Sequence, residues 1–245
     1  MARTFIASGL TATLYKEGEW AYKVFSPTFP KEWIEYEVRV HQVVKTHTQL
    51  TIPSISLQDQ HEIKMDYLEG ITLTDKLLKQ KYKSGAEDLV QIQKKIYQYH
   101  DLPLSNMHDV YESLIKKSDF SHELKEKALQ SLHSIPRGTT LIHLDCHPDN
   151  IMDVKGTYYI LDWTNALLGN PLFDIARTYI ILNYVAYRFS RKYLTVVEKE
   201  LHFKKEDIYK AIPLMALIHL IQIKSKDQRQ IDFYTKMILG GSKED

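Results

Sequence analysis

LIHLDCHPDNIM (141–152) and, after DVKGT, YYILDW (158–163) decide how this chain is read. The stretch carries His143-x-Asp145, then Asn150, then Asp162. Apolar TTLIHLD (139–145) reads as a short strand running into a loop, and Asp145 and Asn150 stand five positions apart on that loop. NIMDV and TYYILDW read as two short strands around a turn at Lys155-Gly156, which brings Asp162 back beside Asn150. Phosphoryl transfer asks little covalent chemistry of a protein. It needs a carboxylate near the acceptor hydroxyl and oxygen ligands for magnesium near the phosphates. Magnesium is a hard cation that takes carboxylate and amide oxygens, water and phosphate. One Asp and one Asn at adjacent strand ends meet that demand.

A lone H-x-D carries little weight. Here a second stretch, LDWTNALLGNPLFDIAR (161–177), follows in the right order. HLDCHPDN is similar to the catalytic loop of aminoglycoside phosphotransferases and of the related choline, homoserine and methylthioribose kinases. LDWTNALLGNPLFDIAR resembles their magnesium-binding segment and the helix after it. The resemblance implies that Asp145 is the catalytic base or acceptor-orienting aspartate. It implies that Asn150 and Asp162 are magnesium ligands and that Asp174 braces the catalytic loop. His143 and His147 resemble loop-shaping histidines, and Cys146 reads as a small packed residue. The implied fold is α+β and bilobal, protein-kinase-like. An N-terminal antiparallel sheet with one helix is followed by a larger, mainly helical C-terminal lobe. The expected division is a nucleotide lobe at 1–65, a hinge at 66–70 and a catalytic and acceptor-binding lobe at 71–245.

The nucleotide side lies earlier in the chain. Lys23 sits inside the apolar, aromatic strand WAYKVF (20–25). In kinase folds a strand lysine reaches the α- and β-phosphates and pairs with a helix glutamate. The helix after Pro30 offers Glu32, Glu35 and Glu37; the family pattern favours Glu37, with Glu35 as the rival. The loop ASGLTAT (7–13) carries one glycine, Gly9, and resembles a phosphate-covering loop through the amides of Ser8, Leu10 and Thr11. IKMDYLEG (63–70) resembles the hinge: backbone groups of Asp66 and Leu68 for adenine, Met65 behind it. The resemblance runs from about residue 4 to about 185.

Outward from these motifs, the first third alternates strand-formers with turns: 4–9, 11–17, 20–25, a strand beginning in 51–57, and 61–68. A helix runs from Pro30 to about Thr46, with Ser26 or Thr28 as its cap. After Gly70 the spacing of apolar residues predicts helices over 72–80, 86–100 and 122–133, and again from Pro171 onward. The apolar run 211–223 contains Pro213 and His219 and is too short to span a bilayer; it reads as a buried helix. The N-terminus does not read as a signal peptide. A net charge of +1 draws the chain neither to nucleic acid nor to anionic membrane. A single cysteine excludes an intrachain disulfide. The expectation is a cytoplasmic enzyme using ATP, or GTP, and Mg2+ on a small hydroxylated acceptor.

Three acceptor classes stay open: an aminoglycoside-like antibiotic, an amino alcohol such as choline, and a sugar-like metabolite. Acidic residues such as Glu198, Glu206 and Asp232 are matched by basic ones such as Arg188, Lys204 and Lys210, so the C-terminal part advertises no polycation site. The rivals are a protein Ser/Thr kinase and a non-catalytic nucleotide-binding module. Too little chain lies between Asp162 and Pro171 for a protein-kinase activation segment. The module reading suffers because Lys23, Asp145, Asn150 and Asp162 are all present.

Overall fold

A computed structural model describes residues 2–9, 11–224 and 226–240. In chain order the elements are β1 (Thr4–Ser8), β2 (Ala12–Glu17), β3 (Trp20–Phe25), α1 (Lys31–His47), β4 (Ile55–Asp59), β5 (Glu62–Asp66), β6 (Ile71–Thr72) and α2 (Leu73–Lys79). There follow α3 (Gly85–Ile96), α4 (Met107–Lys117), α5 (His122–Ser134), β7 (Thr140–Ile142), β8 (Ile151–Val154), β9 (Thr157–Ile160) and β10 (Leu167–Gly169). The chain ends in α6 (Pro171–Val185), α7 (Tyr187–Leu201), α8 (Lys205–Ile223) and α9 (Gln228–Ile238). Two compact units emerge: residues 1–82 with 148–165, and residues 83–147 with 166–245.

In the first unit, five antiparallel strands run in the order β1-β2-β3-β5-β4. Side chains alternate across a strand, so Lys23 and Phe25 share one face of β3. Lys23 stands opposite Ile63 of β5, and Ala21 opposite Met65. Phe25 and Ile63 pack with Ile34 and Val38 of α1, and Met65 and Phe29 close the cluster's edge. β6, β8 and β9 form a separate small sheet whose two outer strands flank β8.

Two local expectations shift. Pro30, not Ser26 or Thr28, is the N-cap of α1, with no side-chain cap bond. The Ser26 and Thr28 hydroxyls instead bond each other at 2.9 Å, within a turn closed by Phe29 N donating to Ser26 O. β4 starts at Ile55, because Pro53 brings no N–H and the Ser54 amide goes to the Asp66 carboxylate at 2.7 Å.

The second unit is mainly helical. α6 is buried on nearly every side, capped by the Asn170 side chain accepting from Leu172 N, with Pro171 in its first turn. The expected buried helix is α8, buried over Leu214–Leu220. Pro213 has no N–H for its helical bond. The Ser131 hydroxyl of α5 sits at this break: it donates to Lys210 O at 2.5 Å and accepts from Leu214 N at 3.4 Å. Three elements had no sequence expectation: β6; α4, whose buried Met107, Tyr111 and Ile115 recur every four residues; and β10, which pairs antiparallel with β7. A Cβ on Gly169 of β10 would lie 2.6 Å from the side chains of Met107 and Ile142, which would have to shift to admit it. Among the described residues no helix is long and apolar enough to cross a membrane.

Candidate active site

The first unit gathers the charged groups of the nucleotide side. Lys23 Nζ and Glu37 Oε1 form an ion pair at 2.7 Å, with only about a fifth of the lysine side chain exposed. Glu35 points elsewhere, pairing at 3.3 Å with Lys31 on the exposed side of α1. Burial works against the Lys23 ammonium, but Glu37 and then Asp162 outweigh it and raise its hold on the proton. The ammonium also lies 5.3 Å from the Phe25 ring centre.

Asn150 ends a 3₁₀ turn at Pro148–Asn150, immediately before β8. Its carbonyl accepts from Leu161 N at 2.8 Å, which ties it beside the residue preceding Asp162. Asp162 is exposed and holds a left-handed backbone, φ 54°, a conformation that aspartate tolerates better than most residues. Fully buried Trp163 anchors the position, its indole N–H donating to Ile160 O at 3.2 Å. Thr164 donates to Asp162 Oδ1 at 2.8 Å, a contact the sequence reading missed. Two neutral or anionic oxygen side chains suit magnesium, which takes its remaining ligands from water and phosphate. Among the described residues there is no cluster of three or more His, Cys, Asp or Glu side chains able to hold a metal by itself.

Gly9 closes the β1–β2 turn, its N–H donating to Ala12 O at 2.9 Å. A Cβ there would meet that oxygen at 3.5 Å, ordinary contact, so space does not demand glycine. Ser8 and Thr11 flank it and are exposed; Leu10 lies outside the described residues. Met65 is half-buried against the α1 cluster. The Asp66 amide donates to Ser54 O at 3.1 Å, and Leu68 is half-buried in the following segment.

The second unit holds Asp145. The loop is fixed from α6 and α3. Asp174, fully buried, accepts from Leu144 N at 2.5 Å and from the Tyr97 hydroxyl at 2.8 Å. That bond steadies Leu144, which sits at φ 61°, a strained conformation for a leucine. Thr178 donates to Cys146 O at 2.9 Å, and Gln93 links Thr178 to the Tyr193 hydroxyl. Asp145 keeps 22% of its side chain exposed, with His147 Nε2 at 3.7 Å. Burial opposes its charge, but His147, Arg177 and His143 prevail and hold the carboxyl well below the usual carboxylate range. His143 and Cys146 are fully buried. Tyr97, Thr178 and Arg177 were not singled out from sequence. Thr178 and Arg177 were legible as residues four and three after Asp174, on one face of a helix.

Residues 4–202 match the phosphotransferase enzyme family. The chain belongs to that family. A Protein LicA homolog of Mycoplasma capricolum subsp. capricolum is 25% identical over 134 residues, covering 51% of this chain and 53% of that protein. The chain thus spans about half the length of this curated relative. A thermostable mutant of aminoglycoside phosphotransferase APH(4)-Ia, apo form, is similar with TM-score 0.72 and 13% identity, over 99% of this chain and 96% of that one. ADP-bound APH(2'')-Ib gives 0.63 and 14% over 97% and 92%. A further APH(4)-Ia mutant was solved with AMP-PNP and hygromycin B, TM-score 0.71 at 14% identity over 99% and 94%. These likenesses show the kinase-like α+β fold of phosphotransferase family members.

Proposed function

We propose that this phosphotransferase moves the γ-phosphoryl group of ATP, or of GTP, to a hydroxyl of a small molecule in the cytoplasm. The observation that carries the reading is the anionic, partly exposed Asp145, fixed by Asp174, in a family member whose Lys23–Glu37 ion pair feels Asp162 beside it. Related folds with AMP-PNP and with ADP bound support the nucleotide. Residues 1–65 serve as the nucleotide lobe and 66–70 as its hinge. Backbone groups of Asp66 and Leu68 meet the adenine, with Met65 behind it and the Gly9 loop over the phosphates. Residues 71–245 carry catalysis and the acceptor.

Lys23 meets the phosphate charge, and Glu37 keeps its ammonium in place. Asn150 and Asp162 would hold magnesium, which when bound neutralises charge developing on the phosphates. Asp145 accepts a hydrogen bond from the acceptor hydroxyl and aims its oxygen at the γ-phosphorus. A new O–P bond forms as the bond from the γ-phosphorus to the bridging oxygen breaks, and ADP departs. A carboxylate held so far below the usual range is a weak base. Asp145 therefore orients first and takes the hydroxyl proton late, passing it on to water.

The acceptor is an aminoglycoside-like antibiotic, an amino alcohol or a sugar-like metabolite; the even charge of the C-terminal part weighs against a polycation. The test is magnesium-dependent ADP formation across a library of aminoglycosides, macrolides, amino alcohols and sugars. Stimulation by one class establishes the enzyme and names its acceptor. Tight nucleotide binding without stimulation by any class would favour a binding module instead.

A further inference from the structure

Asp162, proposed above as a magnesium ligand, has a fixed hydroxyl neighbour that the phosphotransfer reading leaves unused. Asp162 stands exposed between β9 and the 3₁₀ turn Trp163–Asn165. Its left-handed backbone, φ 54°, sets the direction in which the side chain leaves the chain. The carboxylate can still turn about two side-chain bonds, and water would serve it in any rotamer. In the structure one oxygen is committed: Thr164 Oγ1 donates to Asp162 Oδ1 at 2.8 Å. Among the described residues no other side chain bonds to this carboxylate, so Oδ2 remains available to a ligand.

The hydroxyl is itself held. Threonine is β-branched and stiff about its first side-chain bond. Thr164 follows Trp163, which is fully buried and bonded to Ile160 O at 3.2 Å. The turn Trp163–Asn165 packs on α1, the helix that carries Glu37. Glu37 has Thr164 as a hydrogen-bonding neighbour besides its ion pair with Lys23. A hydroxyl has a single proton to give, and here it goes to Asp162. Such a bond at an exposed carboxylate adds little stability, because water replaces it. Its effect is on orientation.

We propose that Thr164 is a positioning residue for the metal side of phosphoryl transfer: its hydroxyl, seated on the buried Trp163 turn, occupies Asp162 Oδ1 and presents Oδ2 to magnesium. The inference rests on the reading of Asp162 as a magnesium ligand. Thr164 acts through Asp162 and takes no part in the chemistry itself. The other proposed ligand is braced by the backbone instead, through Leu161 N donating to Asn150 O at 2.8 Å.

The test is calorimetry of AMP-PNP binding to the full chain, in EDTA and across a Mg2+ titration. Thr164→Val keeps the branched shape and removes the hydroxyl; Thr164→Ser keeps the hydroxyl. Thr164→Val should raise the Mg2+ concentration needed to tighten AMP-PNP binding about ten-fold, the lower end of the usual cost of losing an outer partner of a metal ligand. Its AMP-PNP affinity in EDTA should match the parent, and Thr164→Ser should stay near the parent throughout. An unchanged Mg2+ requirement in Thr164→Val would overturn the inference. So would equal weakening in EDTA and in Mg2+, the mark of a merely structural threonine, or a Thr164→Ser as weak as Thr164→Val. If Thr164→Val does not fold, Thr164→Ala replaces it, and failure of both to fold would assign Thr164 to the core and also overturn it. Failure of the underlying reading looks different: Mg2+ would not tighten AMP-PNP binding even to the parent, and the role of Thr164 would fall with that of Asp162.

Discussion

Lys23 shows how a side chain's role follows from its neighbours. It shares a strand face with Phe25, and that face packs on Ile34 and Val38 of α1. Glu37 lies three positions after Ile34, on the same helical stripe, whereas Glu35 falls off it and pairs with exposed Lys31. The choice between the two glutamates was therefore legible in the spacing of buried apolar residues, had the stripe been drawn. Replacing Lys23 with Met removes the ammonium and leaves the strand in place. Its kcat/KM for nucleotide should fall about a hundred-fold, the usual cost of losing one charge-stabilising donor. Glu37→Gln should show a smaller loss in the same direction, because the lysine stays but is no longer held. Steady-state kinetics at saturating magnesium check both, and a Lys23→Met enzyme with parental kcat/KM would remove Lys23 from the phosphates.

At the scale of elements, long periodic helices and the strands before residue 66 stood out, while short elements held by tertiary contacts did not. β10 has three residues and exists because it pairs with β7. α4 carries a four-residue repeat in Met107, Tyr111 and Ile115, a signal of helix legible in the sequence. The Pro213 break in α8 was visible, but its remedy was not, because Ser131 comes from α5, far back in the chain. Ser131→Ala leaves Lys210 O and Leu214 N facing each other across a gap with no bridging hydroxyl. The expected loss is about 1–2 kcal/mol in chemical denaturation, the cost of stranding buried polar groups. A loss within experimental error would mean that α8 closes the break by itself.

Across the molecule, the motif that decided the fold is divided between the compact units at His147–Pro148. Its residue types were readable from sequence. The network under Asp145 was not, because Tyr97 caps α3 while Arg177 and His219 come from α6 and α8. His219 also sets a global pH dependence. Burial, then Arg177, push it from 6.5 down to about 3, with Asp145 opposing. The imidazole is neutral in the fold and takes a proton in the unfolded chain below pH 6.5. Its contribution to stability is thus complete above about 6.5 and is lost as pH falls toward about 3. His219→Phe should flatten the fall of Tm between pH 6.5 and 4, and an unchanged slope would show that His219 is not the group responsible.

The most direct test of phosphoryl transfer at Asp145 is acceptor-stimulated, magnesium-dependent ADP formation by the parent and by Asp145→Asn, with nucleotide affinity measured in parallel. The account predicts stimulated turnover in the parent, a loss of at least about a hundred-fold in the variant, and nearly equal nucleotide affinity. An Asp145→Asn enzyme that kept most of its stimulated turnover would contradict it.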